Sequence, residues 1–170
     1  MILPTAYLPP LSYMQAYMSE PAIIEQMETF EKQTFRNRCL IRDPIGEIIR
    51  LTVPVGKVEH KQLTRDIEIS YQSRWQHQHW IAIESAYRHK PYFIYFADYL
   101  KPFYEREYKW LVDLNDGLTE TIVSLLKKER PEFDRISIAY RSKEWSGEIW
   151  TDKHPWQTEI SILDSLFDEC

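Results

Sequence analysis

At 170 residues, 44% hydrophobic and 28% charged, the chain has enough apolar material for one globular domain with a substantial core and too little length for a second. Lys and Arg number 21 against 26 Asp and Glu, a formal charge of −5 that argues against nucleic acid or an anionic membrane as the main partner. Two cysteines, Cys39 and Cys170, supply neither a disulfide framework nor a CxxC metal pair. Met1-Ile2-Leu3-Pro4 has no basic leader, and prolines at 4, 9 and 10 break any apolar run before it reaches signal-peptide or membrane-span length. A soluble cytoplasmic protein without membrane insertion is expected.

Taken in order, the elements alternate strand and helix. Residues 2–4 form a short apolar start, and Tyr7-Leu8-Pro9-Pro10 reads as a rigid turn because each proline fixes φ and restrains the residue before it. Leu11, Met14, Ala16 and Met18 predict a short helix ending before Pro21, and Ala22-Ile23-Ile24 a buried strand. Two further strands, over 37–41 and 48–53, flank a Pro- and Gly-containing connection and predict a hairpin that Pro54 ends. Residues 56–65 read as a polar, mobile loop, and 67–69 as another alternating strand.

Ser73-Arg74-Trp75-Gln76 matches a capping box and predicts a helix over 74–88, with Trp75, His79, Ala82 and Ala86 on one stripe and Ile83 beside it. Pro91 suits a first helical position, Phe93, Phe96, Ala97 and Leu100 make the apolar side that follows, and Pro102 should break it. Asn115 or Asp116 is expected to cap a helix that buries Leu118, Ile122, Leu125 and Leu126 and stops at Pro131. A strand over 136–140 and a terminal helix docking through Leu163, Leu166 and Phe167 complete the reading. The expected class is α/β: a single domain over 1–170, with a central, mixed, mostly parallel sheet flanked by helices.

Lys32-Gln33-Thr34-Phe35-Arg36-Asn37-Arg38-Cys39 concentrates donors between two strands. Arginine forks suit a carboxylate or phosphate, lysine adds a point charge, and asparagine both donates and accepts. If 36–41 is extended, Arg36 and Arg38 share one face with Leu40, while Asn37, Cys39 and Ile41 share the other. Two readings follow: an anion-binding site, or a charged edge-strand face that discourages edge-to-edge pairing.

No GxGxxG, Walker A, GxSxG or HExxH motif occurs, and four glycines leave no phosphate-cradling glycine loop. His77 and His79 fall on different sides of a helix, so a shared metal is disfavoured and neither metal nor cofactor is expected. His79 is either a satisfied core histidine or, if it lines a cleft, the best acid–base candidate. Tyrosines, phenylalanines and tryptophans number 11, 7 and 6, and their spacing between Tyr87 and Tyr108 is mostly that of helix packing. Trp145, Trp150 and Trp156 either rim a binding site or cover the end of a sheet.

Tyr7-Leu8-Pro9-Pro10 with Tyr13, Ile24-Glu25-Gln26, the donor cluster, Leu51-Thr52-Val53-Pro54-Val55, His79-Trp80-x-x-Ile83-x-x-Ala86-Tyr87 and Ser161-Ile162-Leu163-Asp164 occur in that order. Together they resemble the WbqC-like protein family from about residue 2 to 168. The resemblance implies a bacterial cytoplasmic protein, some of whose relatives are associated with O-antigen or other surface-polysaccharide biosynthesis. Where that family's opening often reads His-Gln-Pro-Asn-Tyr-Phe-Pro, this chain has Leu3-Pro4-Thr5-Ala6-Tyr7-Leu8-Pro9, and its usual acidic pair after the second strand is Glu25-Gln26.

Nucleotide-binding α/β folds hold ligands at the carboxyl ends of strands, and by analogy Tyr7, Glu25 and the donor cluster would meet around one crevice. The leading expectation is a transferase acting on a nucleotide-activated or phosphorylated sugar. Lys32, Arg36 and Arg38 would bind its anionic group, Gln33, Asn37, Tyr7 and Tyr87 would contact it, and His79 or Glu25 would move the proton. The alternatives are a non-catalytic module docking an acidic partner through the basic cluster, and a degenerate enzyme that retains only the crevice.

Overall fold

Prolines at both ends confine the opening strand. β1 spans Ile2–Pro4, Tyr7 and Leu8 make a bend, and α1 runs over Leu11–Ser19. The computed structural model describes residues 2–19, 22–129 and 160–168. Leu8 sits at φ 43°, a left-handed conformation that a leucine adopts only when its surroundings hold it, and it is fully buried. The Tyr13 hydroxyl donates to the Pro4 carbonyl at 2.6 Å and fastens α1 to the end of β1.

β2, Ile23–Glu25, pairs parallel with β1, Leu3 opposite Ile24. The predicted buried strand is an edge strand instead, with Ile23 66% exposed, because β1 is its sole ladder partner among the described residues. β3, Arg38–Arg42, and β4, Ile48–Thr52, form the predicted antiparallel hairpin. Asp43 shapes its turn by accepting the Ile45 and Glu47 amides, and Gly46 supplies φ 91°.

The α/β class holds, with strands flanked by helices, but the described strands pair as two two-stranded sheets rather than as one central sheet. The reason is local. Pro9 and Pro10 have no N–H to continue a ladder, so single contacts join the parts: Tyr7 N–H to Phe35 O, Ser161 N–H to Leu40 O, and Ile162 N–H to Pro9 O. Residues 67–69 alternate as expected, with Ile67 and Ile69 buried, yet meet other segments only through isolated bridges. The loop before them carries a 3-10 turn, Thr64–Asp66, fixed where Thr64 N–H donates to Glu28 O.

α2, Trp75–Tyr87, buries the predicted stripe. Its capping box does not form: Arg74 occupies the cap without a side-chain bond, and Gln76 reaches across to the carbonyls of Phe103 and Arg106. α3 is Phe93–Leu100, and Pro102 opens α4, Pro102–Glu105, at its first position. α5 runs over Leu111–Glu129 and starts one turn earlier than predicted, so Asn115 and Asp116 lie inside the helix rather than at its cap. α6, Ile162–Asp168, is the expected terminal helix. One hydrophobic core joins Leu3, Met14, Ile41, Ile83, Leu118, Ile122, Leu163 and Phe167. The predicted strand over 136–140, the Pro131 stop, Trp145, Trp150, Trp156 and Cys170 lie outside the described residues.

Candidate functional site

The donor cluster does not assemble the expected site. Gln33 takes φ 62° and residues 35–37 form a turn, so extended backbone begins only at Arg38 and the two arginines share no face. Arg36 is 3% exposed, and its Nε donates to Glu28 Oε1 at 2.6 Å while Nη2 takes the other oxygen. This fork neutralises the guanidinium internally. Asn37 is equally buried, its amide donating to Val53 O and its oxygen accepting the Gln33 amide. Lys32 and Gln33 are exposed, and Arg38 is half-buried on the outer face of the hairpin with Nε on Thr52 Oγ1.

His79 is 5% exposed. Its Nδ1 lies 2.8 Å from the Tyr7 hydroxyl, which lies 2.9 Å from that of Tyr104, and the ring also meets the Thr52 backbone. Burial pulls the imidazole down to about 4, partly offset by the Thr52 contact, so the ring is neutral at physiological pH. Buried and held by Tyr7 and the Thr52 backbone, the ring does not fit the expected acid–base role and is a structural hub. Nor does Tyr87 face a ligand: it is buried, donates to Asp164 Oδ1, and rests against Phe167 with ring centroids 4.9 Å apart. Cys39 is buried too, which pushes its thiol up and leaves it unreactive.

A cleft opens instead at the carboxyl ends of β1 and β2. Thr5 and Ala6 follow β1, Ile24 comes from β2, Tyr13 and Tyr17 from α1, and Asp116, Thr119 and Glu120 from α5, around a cavity of about 100 Å³. Asp116 and Glu120, four residues apart on one helix, occupy the same face. Gln26, just past β2, donates to Asp116 Oδ2 at 3.2 Å. Next to Asp116, the buried Asn115 donates to Thr5 Oγ1 at 3.0 Å and to Arg36 O at 2.8 Å, locking α5 against the first strand and the turned cluster.

Electrostatics single out Asp116. Burial first, then the charges of Glu120 and Asp113, raise its carboxyl to about 6, so at neutral pH it is an ionised carboxylate that is more basic than an ordinary aspartate. Burial also raises the phenol of Tyr17, helped by Glu120 and Asp116. A carboxyl whose hold on its proton is raised in this way, lined by hydroxyls, can exchange a proton with a bound hydroxyl or amine. The same negative charge repels a phosphate. Glu25 stays at the strand end, with Oε1 accepting the Met27 amide at 2.6 Å.

Sequence reasoning reached the strand ends but missed Asp116, because Asn-Asp-Gly in a polar stretch resembles a helix cap. The signal that finds it is the i, i+4 pair Asp116 and Glu120 read together with the apolar stripe Leu114, Leu118 and Ile122. Matching the chain to family models gives the WbqC-like protein family over residues 5–151. The chain belongs to that family. Every residue lining the cleft lies within the matched segment, whereas α6 lies beyond it. Comparison with curated proteins and with solved structures finds no match. Among the described residues of this WbqC-like chain, no helix is long and apolar enough to cross a membrane.

Proposed function

We propose that this WbqC-like protein is a cytoplasmic transferase-type enzyme of surface-polysaccharide precursor metabolism, with the cleft between β1, β2, α1 and α5 as its reaction site. The observation that carries this reading is the Asp116 carboxyl, raised to about 6 beside Glu120 at the carboxyl ends of two parallel strands. Asp116 takes the proton from an acceptor sugar's hydroxyl or amino group as that oxygen or nitrogen attacks the transferred carbon of an activated donor, whose bond to its phosphate breaks and releases the phosphate as leaving group; Glu120 supplies the charge that keeps Asp116 basic, and Thr5, Tyr17 and Thr119 offer hydroxyls to orient the ring. A cavity of about 100 Å³ with two acids admits the reacting end of a sugar. Lys32 and Gln33, exposed in the 32–38 segment, are the donors this reading offers to the phosphate of an activated donor.

A thermal-shift screen against nucleotide sugars, amino sugars and free nucleotides tests this. A sugar present at a hundred times its dissociation constant stabilises by about 2.7 kcal/mol, a rise of roughly 5–10 °C for a chain of this size. The reading requires one such ligand whose transfer reaction is lost in Asp116→Asn. Absence of any sugar-dependent shift, or full turnover in Asp116→Asn, overturns it.

A further inference from the structure

The outer face of the β3–β4 hairpin carries charge that no carboxylate among the described residues answers. Strand alternation buries Cys39, Ile41 and Leu51 and turns Arg38, Leu40 and Arg42 outward, opposite Thr52, Arg50 and Ile48. Arg50 sits directly across from Leu40 and diagonal to both other arginines, within reach of such long side chains. Among the described residues, no carboxylate pairs with any of the three. Arg38 is held by Thr52 through Nε, which leaves its terminal nitrogens facing out. Burial and the like charge of Arg50 both disfavour its charged form, the behaviour of a cationic patch lacking its anion.

Among the described residues, the β4 edge beside this face is unpaired at Ile48 and Arg50. The hydrogen-bonded rungs of the hairpin include Asn37 with Val53 and Asp43 with Glu47, so the backbone groups of Leu40, Ile48 and Arg50 point away from the ladder. On the β3 side, Ser161 N–H closes Leu40 O at 2.7 Å. On the β4 side, no backbone group among the described residues meets Ile48 or Arg50, and Ile48 is 58% exposed. An unpaired strand edge is a template for one more strand.

We propose that this edge is a docking site for an acidic, extended peptide segment of a partner protein, which adds as a third strand beside residues 48–50 and sets its carboxylates against Arg50, Arg38 and Arg42. Main-chain bonds to Ile48 and Arg50 supply register, and the arginines select an acidic sequence over a neutral or basic one. A protein strand fits better than a nucleic acid because the face includes the apolar Ile48 and Leu40 and belongs to a chain of charge −5.

The test uses the full chain and a fluorescein-labelled nonapeptide with Glu at alternate positions and Val between. Fluorescence anisotropy is expected to show binding that weakens at least tenfold in Arg42→Glu/Arg50→Glu, and at least tenfold when the peptide's edge-facing amides are N-methylated. Amide exchange at Ile48 and Arg50 should slow on binding. N-methylation is read on the unaltered protein, so a folding defect in the double variant does not blunt the test. The proposal is overturned by no binding, by equal binding of the N-methylated peptide, or by inorganic polyphosphate or an RNA dodecamer binding more tightly with exchange at Ile48 and Arg50 unchanged.

Discussion

The Tyr7 hydroxyl lies 2.8 Å from Nδ1 of His79, a hydrogen bond that joins residues 72 apart in sequence and ties the turn after β1 to the buried face of α2. Tyr104 extends the chain to α4, and Thr52 ties the imidazole to β4. One polar hub therefore holds four separate elements inside an apolar core.

That hub sets the acid limit of stability. The folded imidazole titrates at about 4 and an unfolded histidine near 6.5. Between those values the unfolded chain binds more protons, so the contribution is complete above pH 6.5 and is lost as pH falls toward 4. Its size is on the order of 3 kcal/mol. Urea midpoints at pH 5 and pH 8 should differ accordingly, and the difference should shrink in His79→Gln. At pH 8 that variant should lose about 2 kcal/mol through the disrupted hub.

Removing the partner of a buried charge costs more than the pair contributes. Glu28→Gln leaves the Arg36 guanidinium, 3% exposed, without its carboxylate. A loss of about 3 kcal/mol is expected in urea unfolding at pH 7. Lys32→Ala, on an exposed side chain four residues from Arg36, should fall within about 0.5 kcal/mol of the parent. Equal effects would contradict the assignment of Arg36 to structure rather than to ligand binding.

Gly117 is a third structural test. A Cβ there would come 2.7 Å from Phe103 Cε1, which stacks on Tyr108 with ring planes 12° apart. Alanine favours a helix over glycine by about 1 kcal/mol, but overpacking costs about 1–3 kcal/mol. Gly117→Ala should therefore lower the melting temperature, and a rise would show that α4 yields freely.

Local periodicity made much of this fold legible. The stripe from Trp75 to Ala86, the face from Leu118 to Leu126, the hairpin around Asp43-Pro44-Ile45-Gly46 and the breaks at Pro10 and Pro102 follow from residues within a few positions of each other. What depends on distant partners was not legible. The alternation rule put Arg36 beside Arg38 because it assumes extended backbone, and the left-handed Gln33 and the fork with Glu28 cancel that assumption. Gln76 matched a capping pattern but found better acceptors on α4, about thirty residues away. His79 could be placed on a buried stripe, while its partners Tyr7 and Thr52 come from distant segments.

Asp116 is a carboxylate made unusually basic inside the cleft by burial and by Glu120. A carboxylate raised in the folded state stabilises fully below its unfolded value, and that stability is lost as pH rises through the folded value. Above pH 6, Asp116→Asn should gain about 1 kcal/mol, discounted because the group is partly open to water, while Asn still accepts from Gln26. The most direct measurement is a titration of the Asp116 side-chain carboxyl carbon by NMR, in the parent and in Glu120→Gln. The account predicts a midpoint at about 6 that falls when the Glu120 charge is removed. A midpoint near the ordinary aspartate value of about 3.9, unchanged in Glu120→Gln, would contradict it.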